Sequence, residues 1–479
     1  MKKRTKIIAS LGPASSTGVK LEKMLHAGTD VFRINLSHTK IEDAKKIIEL
    51  VRTKEKKIGR PVAIMLDLQG QKIRIKGLSK KQHVTLKSGD NFIINPELND
   101  NGNQKQVGIT YKDLYKSVKE GDELLLSDAL IKLRVKKVQS KKIFTVIERG
   151  GKLKPYQGLN KKGGGLSLSG ITAKDKSDLK KSLSYEYDYI AVSFVKDEKD
   201  IIEIKNILKN KDIKIIAKIE RNEALKNIDK ITKASDGLLV ARGDLGVEIG
   251  IEQLPAAQRF LIRKAISFDK LAIVATQMME SMITNRVPTR AEVFDVANAV
   301  TSGVDAIMFS AETAVGKYPS EVISEASRIC AQSEGAYIRP LSVDRVVPKT
   351  LPVDQVIALS AVYSAKLTKV VAIAALTETG STALWMSRVQ SNIPIYAMTQ
   401  NIKTARRICL YKGVQSIKLD KLEENHAQAN MQVIGLMRKI GTVKKGDLVI
   451  ITKGDLLGTS GGTNAMKVVE VGNMLEINE

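Results

Sequence analysis

The feature that most constrains this chain is a rhythm between Lys6 and Ser310. Eight short apolar runs alternate with amphipathic stretches. The runs are Lys6–Ser10, Val31–Leu36, Val62–Asp67, Tyr189–Phe194, Ile213–Ile219, Gly237–Ala241, Ala272–Thr276 and Ala306–Ser310. Between them, Ile41–Ile58, Asp197–Leu208, Pro255–Phe268, Ala291–Thr301 and Glu321–Gln332 carry a helical period. Strands that alternate with helices predict βαβ units and a parallel sheet. Eight such units close into a (β/α)8 barrel more readily than they form an open sheet.

Two segments depart from the rhythm. After the third run, His83–Leu86, Asn91–Ile94, Glu123–Leu126, Leu133–Val138 and Ile143–Val146 are short β-type runs broken by turn residues such as Asn99-Asp100-Asn101-Gly102. They predict a small β-barrel lid domain inserted over residues 69–170, so that the (β/α)8 TIM barrel occupies 1–68 and 171–345. The return, Asn160-Lys161-Lys162-Gly163-Gly164-Gly165, is glycine-rich enough to hinge. Beyond a linker marked by Pro340, Pro348 and Pro352, strand-like Val370–Ala374, Ile395–Met398, Ile417–Leu419 and Leu448–Ile451 alternate with helical Ser381–Gln390, Ile402–Tyr411 and Gln428–Ile440. This predicts a C-terminal α/β domain over 346–479.

Composition narrows the function classes. Of 479 residues, 43% are hydrophobic and 27% charged, enough apolar side chain to fill sizeable cores. The net charge is +26, from 58 Lys and 20 Arg against 52 acidic residues. Sequence-reading nucleic-acid surfaces favour Arg and interleaved aromatics, and aromatics are only 4% here. The lysines read as a solvated surface with no specific nucleic-acid site, attractive to phosphorylated metabolites. No run of 18 apolar residues predicts a membrane span. The basic Met1-Lys2-Lys3-Arg4 start is followed by an apolar stretch that stops at Leu11-Gly12-Pro13, too short for a signal peptide. Cys330 and Cys409 form no disulfide or metal framework, and a cytoplasmic location is expected.

Polar residues cluster where the predicted strands end. Lys218 and Glu220 alternate on one strand face, and the barrel mouth is the less costly place for their charges. Asp244 sits in the glycine-flanked turn Arg242-Gly243-Asp244-Leu245-Gly246. Glu220 with Asp244 makes a two-carboxylate oxygen site suited to Mg²⁺. Arg33, Asn35 and Ser37 share a face of the second strand. Asp67, Thr276, Ser310 and Glu312 end others. Singly, each has a bland explanation as an ion pair or turn. Together they place a base, carboxylates, an arginine and a hydroxyl at one rim. There is no P-loop, no protein-kinase motif set and no GxSxG motif. Phosphoryl transfer needs chiefly a metal and cations around the moving group, and this rim offers both.

These residues lie in motifs that resemble pyruvate kinase over essentially the whole chain. The motifs are Ile7-Ile8-Ala9-Ser10-Leu11-Gly12-Pro13-Ala14, Phe32-Arg33-Ile34-Asn35-Leu36-Ser37-His38, Ala217-Lys218-Ile219-Glu220, Ala241-Arg242-Gly243-Asp244-Leu245-Gly246, Ala275-Thr276-Gln277-Met278-Met279-Glu280-Ser281-Met282, Pro288-Thr289-Arg290-Ala291-Glu292 and Ser310-Ala311-Glu312-Thr313-Ala314. The resemblance implies Mg²⁺-dependent transfer from phosphoenolpyruvate to ADP, the last step of glycolysis, with Mn²⁺ as an alternative metal. It implies Glu220 and Asp244 as metal ligands, and Gly243, Asp244 and Thr276 as the substrate carboxylate cradle. Lys218 is implied as the residue that stabilises the separating charges, and Arg33 as the phosphoryl-binding arginine. Asn35, His38, Arg74 and a lid lysine, Lys162 or Lys161, are implied as nucleotide contacts. A C-terminal regulatory domain and a homotetramer are implied too.

Many members of this family hold K⁺ at groups matching Asn35, Ser37, Asp67 and the Leu68 carbonyl. Here the adjoining strand reads Asp67-Leu68-Gln69-Gly70-Gln71-Lys72-Ile73-Arg74, with Lys72 where K⁺-requiring members carry a glutamate. A fixed ammonium can replace a monovalent cation, so K⁺-independent activity is expected. Gln71 replaces a usual proline, and Ala129 a usual glycine beside Asp128, which lowers the expectation of a lid role for Asp128. Thr377, Thr379, Gly380, Ser381 and Thr382 open a helix able to cradle a phosphorylated effector, with Ser460-Gly461-Gly462-Thr463-Asn464 closing over it. They resemble the bacterial subgroup activated by sugar monophosphates or AMP. Two rival functions suit such a chain: another Mg²⁺-dependent phosphoenolpyruvate or enolate barrel, and a polyanion-binding protein on a decayed barrel. The nucleotide contacts argue against the first and the intact charged residues against the second.

Overall fold

The computed structural model describes residues 3–79, 83–166, 170–209, 211–336, 350–389, 391–423, 425–455 and 461–473. Pro340 and Pro348 of the expected linker, Gln390 and Ser460 lie outside them.

The apolar runs form eight strands: β1 (Lys6–Leu11), β2 (Val31–Asn35), β3 (Ala63–Asp67), β4 (Tyr189–Val192), β5 (Lys214–Ile219), β6 (Gly237–Ala241), β7 (Leu271–Ala275) and β8 (Ala306–Phe309). They pair in parallel, each with its neighbour in sequence, and β1 pairs with β8 to close the barrel. Alternation sorts their side chains into two cores. Ile8, Val31, Met65, Tyr189, Ile216 and Leu239 fill the lumen, while Ile7, Phe32, Ile64, Ile190 and Ala217 pack under the helices. Each such buried aliphatic or aromatic side chain contributes roughly 1.5–3 kcal/mol. Where β5, β6 and β7 crowd, Gly237 is required: a Cβ there would lie 2.8 Å from the Leu271 Cβ and 2.9 Å from Ile216. The lumen parity holds to the C-terminal ends of the strands for Ser10, Arg33, Asp67 and Lys218 and one residue past them for Ser193 and Glu220, so all six project from the same side as the lumen residues.

The insertion leaves after β3 and returns before the helix Ala173–Ser182. A six-stranded sheet joins Leu159–Lys161, Glu123–Leu126, Ile131–Gln139, Lys142–Arg149, Asn91–Ile94 and Gln106–Val107. A two-stranded sheet pairs Val84–Leu86 with Gly151–Leu153. Phe92, Leu124, Leu133, Ile143 and Leu153 meet in one core between them. Part of the expected hinge is itself structured: Leu159–Lys161 is a strand, and only Gly163, Gly164 and Gly165 adopt positive φ.

The C-terminal sheet runs β9 (Val370–Leu376), β10 (Ile395–Thr399), β11 (Val414–Lys418), β12 (Leu448–Gly454) and β13 (Thr463–Glu470), in the order β11-β10-β9-β12-β13. Only β13 is antiparallel to its neighbour. This sheet docks on the N-terminal end of the barrel through ion pairs. Arg388 donates to Asp305, with Nη1 2.9 Å from Oδ2, and both side chains are buried. Arg406 donates to Glu55 at 2.7 Å and Arg407 to Asp212 at 2.7 Å.

Candidate active site at the barrel mouth

At the opposite, C-terminal end of the barrel, the lumen-facing charges meet. Asp67 Oδ2 accepts from Arg33 Nε at 2.6 Å, while its Oδ1 lies 3.3 Å from Lys218 Nζ. Burial alone would raise the Asp67 carboxyl. Arg33 and Lys218 reverse that and hold it below the usual range. Lys218 Nζ also lies 3.1 Å from Glu220 Oε1 and donates to Ser193 Oγ at 2.8 Å. Burial works against the ammonium, but Asp67 and Glu220 raise its pKa above the ordinary value, so Lys218 is a fixed cation. Glu220 Oε2 accepts the Phe194 N–H at 2.7 Å. Burial, and then repulsion from Asp244 against the pull of Lys218, raises the Glu220 carboxyl.

Two serines complete this cluster, and the sequence reading gave neither a role. Ser10 Oγ accepts from Arg33 Nη1 at 2.7 Å and donates to the Phe309 carbonyl at 2.7 Å. Ser193 donates to the Leu68 carbonyl at 2.7 Å. Lumen parity followed to the end of β1 and one residue past β4 finds both.

The neighbouring rim is built differently. β7 is followed directly by Thr276 and Gln277 at φ +70° and +53°. This reversal turns the Thr276 hydroxyl, which accepts the Gly243 N–H at 3.0 Å, towards the start of the helix Arg242–Ile249. Arg242 clamps the turn by donating to the carbonyls of Thr276, at 2.6 Å, and of Gln277, at 2.9 Å. Asp244 is in the first turn of that helix, and Lys72 reaches it from the insertion at 2.6 Å. Lys72 therefore pairs with Asp244, while Asp67 is taken by Arg33 and Lys218.

Between barrel and insertion lies a cleft of ≈ 820 Å³, lined by Lys72, Lys162, Asp244 and Thr276 among others. Asp128 and Ala129 line it too. Ser127, Asp128 and Ala129 all have φ between +53° and +67°, which explains why a glycine is the easier residue at 129. Lys162 faces the cleft, whereas Lys161 pairs with Asp122 at 2.8 Å inside the insertion. Arg74 donates to the Tyr156 carbonyl at 3.0 Å and is not part of the cleft wall. Asn35 Oδ1 accepts the Ser37 N–H, and the His38 N–H bonds the Asn35 carbonyl, so these three form one turn. The insertion is pinned where it returns: Gly163 N–H donates to the Glu248 carbonyl at 2.9 Å, and Asn222 Nδ2 to the Gly163 carbonyl at 2.9 Å.

In the C-terminal domain, Thr377, Thr379, Ser381 and Thr382 line a crevice with Gly461, Gly462 and Thr463. Thr382 and Thr463 hydroxyls are 2.9 Å apart across it. Gly380 supplies the left-handed turn, φ +84°, before the helix Ser381–Arg388. No helix among the described residues is long and apolar enough to cross a membrane.

Known proteins repeat this architecture. The family model described as pyruvate kinase, barrel domain, matches residues 2–323, and that described as pyruvate kinase, alpha/beta domain, matches 355–469. Pyruvate kinase II of Salmonella typhimurium is 44% identical over 98% of this chain and 99% of its own length. The pyruvate kinase of Geobacillus stearothermophilus is 38% identical over 99% of this chain and 81% of its own. The crystal structure of a pyruvate kinase from Cryptosporidium parvum superposes with a TM-score of 0.91 at 33% identity, covering 98% of this chain and 96% of that one. With both domain models matched and similarity running end to end, the chain belongs to the pyruvate kinase family.

Proposed function

We propose that the chain transfers the phosphoryl group of phosphoenolpyruvate to ADP, releasing pyruvate and ATP. The observation that carries this reading is the buried Arg33–Asp67–Lys218–Glu220 cluster, whose Glu220 feels the charge of Asp244 in the wall of a cleft that the insertion roofs. Lys218 is held as an ammonium beside the cleft, the place for a cation that stabilises charge on the phosphoryl group and the enolate as they part. Arg33 spends Nε and Nη1 on Asp67 and Ser10, which aims its remaining Nη2 for a phosphoryl oxygen. Gly243, Asp244 and the Thr276 hydroxyl form the wall suited to the substrate carboxylate. Lys162 and its strand neighbours close over the nucleotide, and the roof keeps water from competing for the phosphoryl group. Arg74 and Lys161 serve the nucleotide only if lid closure redirects them.

The residues fit a divalent cation. Burial first, and then repulsion from Asp244, raises the Glu220 carboxyl, and a cationic side chain, Lys72, already satisfies Asp244. Hard oxygen donors of this kind hold Mg²⁺, or Mn²⁺, with substrate and water completing the shell. When bound, the metal neutralises phosphoryl and enolate charge. K⁺ is replaced by Lys72, the ammonium that the insertion brings to the barrel rim at Asp244. The C-terminal crevice takes a phosphorylated metabolite effector. Ile251 and Phe294 on the barrel and Leu367 on the C-terminal domain are large apolar side chains left exposed, which suits subunit contacts in a homotetramer. Both cysteines are free and buried, in keeping with a cytoplasmic enzyme.

Pyruvate formation from phosphoenolpyruvate, ADP and Mg²⁺ in K⁺-free buffer tests the reading. Turnover is expected. Rescue only by added K⁺ would keep the activity and remove the role of Lys72.

A further inference from the structure

The barrel floor and the C-terminal domain do not meet everywhere. A cavity of ≈ 520 Å³ separates them, at the opposite end of the barrel from the catalytic cleft. That size falls within the range of small-molecule sites. Its barrel wall comes from the N-terminal ends of β5, β6 and β7, with Lys214, Asp236 and Lys270. Its other wall comes from the helices Ser381–Arg388 and Ile402–Ile408, with Trp385 and Arg407, and from Tyr411.

The charges along these walls are unequally committed. Asp212 holds Arg407 at 2.7 Å and lies 3.6 Å from Lys214. Asp236 accepts the Ile215 N–H at 2.8 Å. Lys270 is different. Its carbonyl accepts from Arg388, but its half-buried ammonium has no hydrogen bond or ion pair among the described residues. Burial lowers its pKa, Lys205 and Lys214 act in the same sense, and Asp236 and Asp269 oppose them without either pairing with the ammonium. Two further donors are unspent among the described residues, the Trp385 indole N–H and the Tyr411 hydroxyl. Trp385, Phe268 and Leu384 supply the apolar surface.

We propose that this interdomain cavity binds a small anion carrying an aromatic ring, its anionic group on Lys270 and its ring against Trp385. Three uncommitted donors select a carboxylate or phosphate, and a planar apolar wall selects the ring. Glu378, Thr379 and Ser381 line both this cavity and the C-terminal effector crevice, so occupancy of one bears on the shape of the other.

Trp385 is the chain's one tryptophan and reports directly on the cavity. Phenyl phosphate is titrated into the full-length protein while Trp385 emission is followed, with saturating phosphoenolpyruvate present to occupy the catalytic cleft. A saturable change is expected, weakened about tenfold or more in Lys270→Gln, a loss in line with removing one charge-assisted contact. Basal turnover of Lys270→Gln should match the parent, which also shows that the variant folds. Inorganic phosphate and phenol, titrated separately, should each bind more weakly. The proposal is overturned by a non-saturable change, by equal affinity in Lys270→Gln, or by inorganic phosphate binding as tightly as phenyl phosphate.

Discussion

Replacing Lys72 by methionine separates two roles of one ammonium. Lys72 Nζ is 2.6 Å from Asp244 Oδ1, and the two side chains are 22% and 20% exposed. At that spacing, with an effective dielectric near 20, the bare attraction is about 6 kcal/mol. Side-chain entropy, desolvation and screening at such a partly exposed site reduce the net to roughly 1–2 kcal/mol. A divalent cation that needs Asp244 must displace Lys72 first. In Lys72→Met the Mg²⁺ dissociation constant without substrate should therefore fall by about tenfold, read by calorimetry. Turnover should move the other way. With the built-in cation gone, kcat in K⁺-free buffer should fall by about 10²-fold, the scale of one preorganised electrostatic contact. Added K⁺ should restore much of it, because Asn35, Ser37, Asp67 and Leu68 remain. Unchanged Mg²⁺ affinity together with unchanged K⁺-free turnover would refute the reasoning on both counts.

Other outcomes follow from the same geometry. Lys218→Met should lower kcat by about 10²–10³-fold with KM little changed, because its cation acts on charge that develops in the transition state. Arg388→Met leaves Asp305 buried and unpaired, a cost of roughly 3–5 kcal/mol, and should lower Tm by roughly 10 °C in calorimetry. Pairing it with Asp305→Leu should recover most of that loss. Glu248, which receives the Asn222 N–H at 2.8 Å beneath the pinned end of the insertion, is pushed up by burial to about 7 from 4.5. The folded state thus binds the proton more tightly than the unfolded chain. Stability should fall as pH rises from about 4.5 through about 7, by up to about 3 kcal/mol. Glu248→Gln should flatten Tm over pH 5–8, and parallel curves for the two proteins would count against this assignment.

The barrel was legible because its strands are short apolar runs whose neighbours in space are their neighbours in sequence. Three strands of the insertion were not. Gln106–Val107, Gly151–Leu153 and Leu159–Lys161 are two or three residues long and exist only through their partners. β13, eight residues with an alternating exposed face, is an edge strand that carries too few buried side chains to stand out. β11 begins at Val414, three residues before the expected start, because pairing with β10 extends it. At the site, parity alone brought Lys218 and Glu220 to the lumen side, and Arg33 and Asp67 likewise. Thr276 escapes parity, since two successive left-handed residues turn it. The Lys72–Asp244 pair joins residues 172 apart, and no local pattern encodes such a contact.

The most direct test follows phosphorus by ³¹P NMR in a mixture of this protein, phosphoenolpyruvate, ADP and Mg²⁺ without K⁺. The phosphoenolpyruvate resonance should be replaced, one for one, by the γ-phosphate of ATP, with no inorganic phosphate above background. Loss of phosphoenolpyruvate to inorganic phosphate, or no conversion with or without K⁺, would contradict a roofed site that hands the phosphoryl group to ADP.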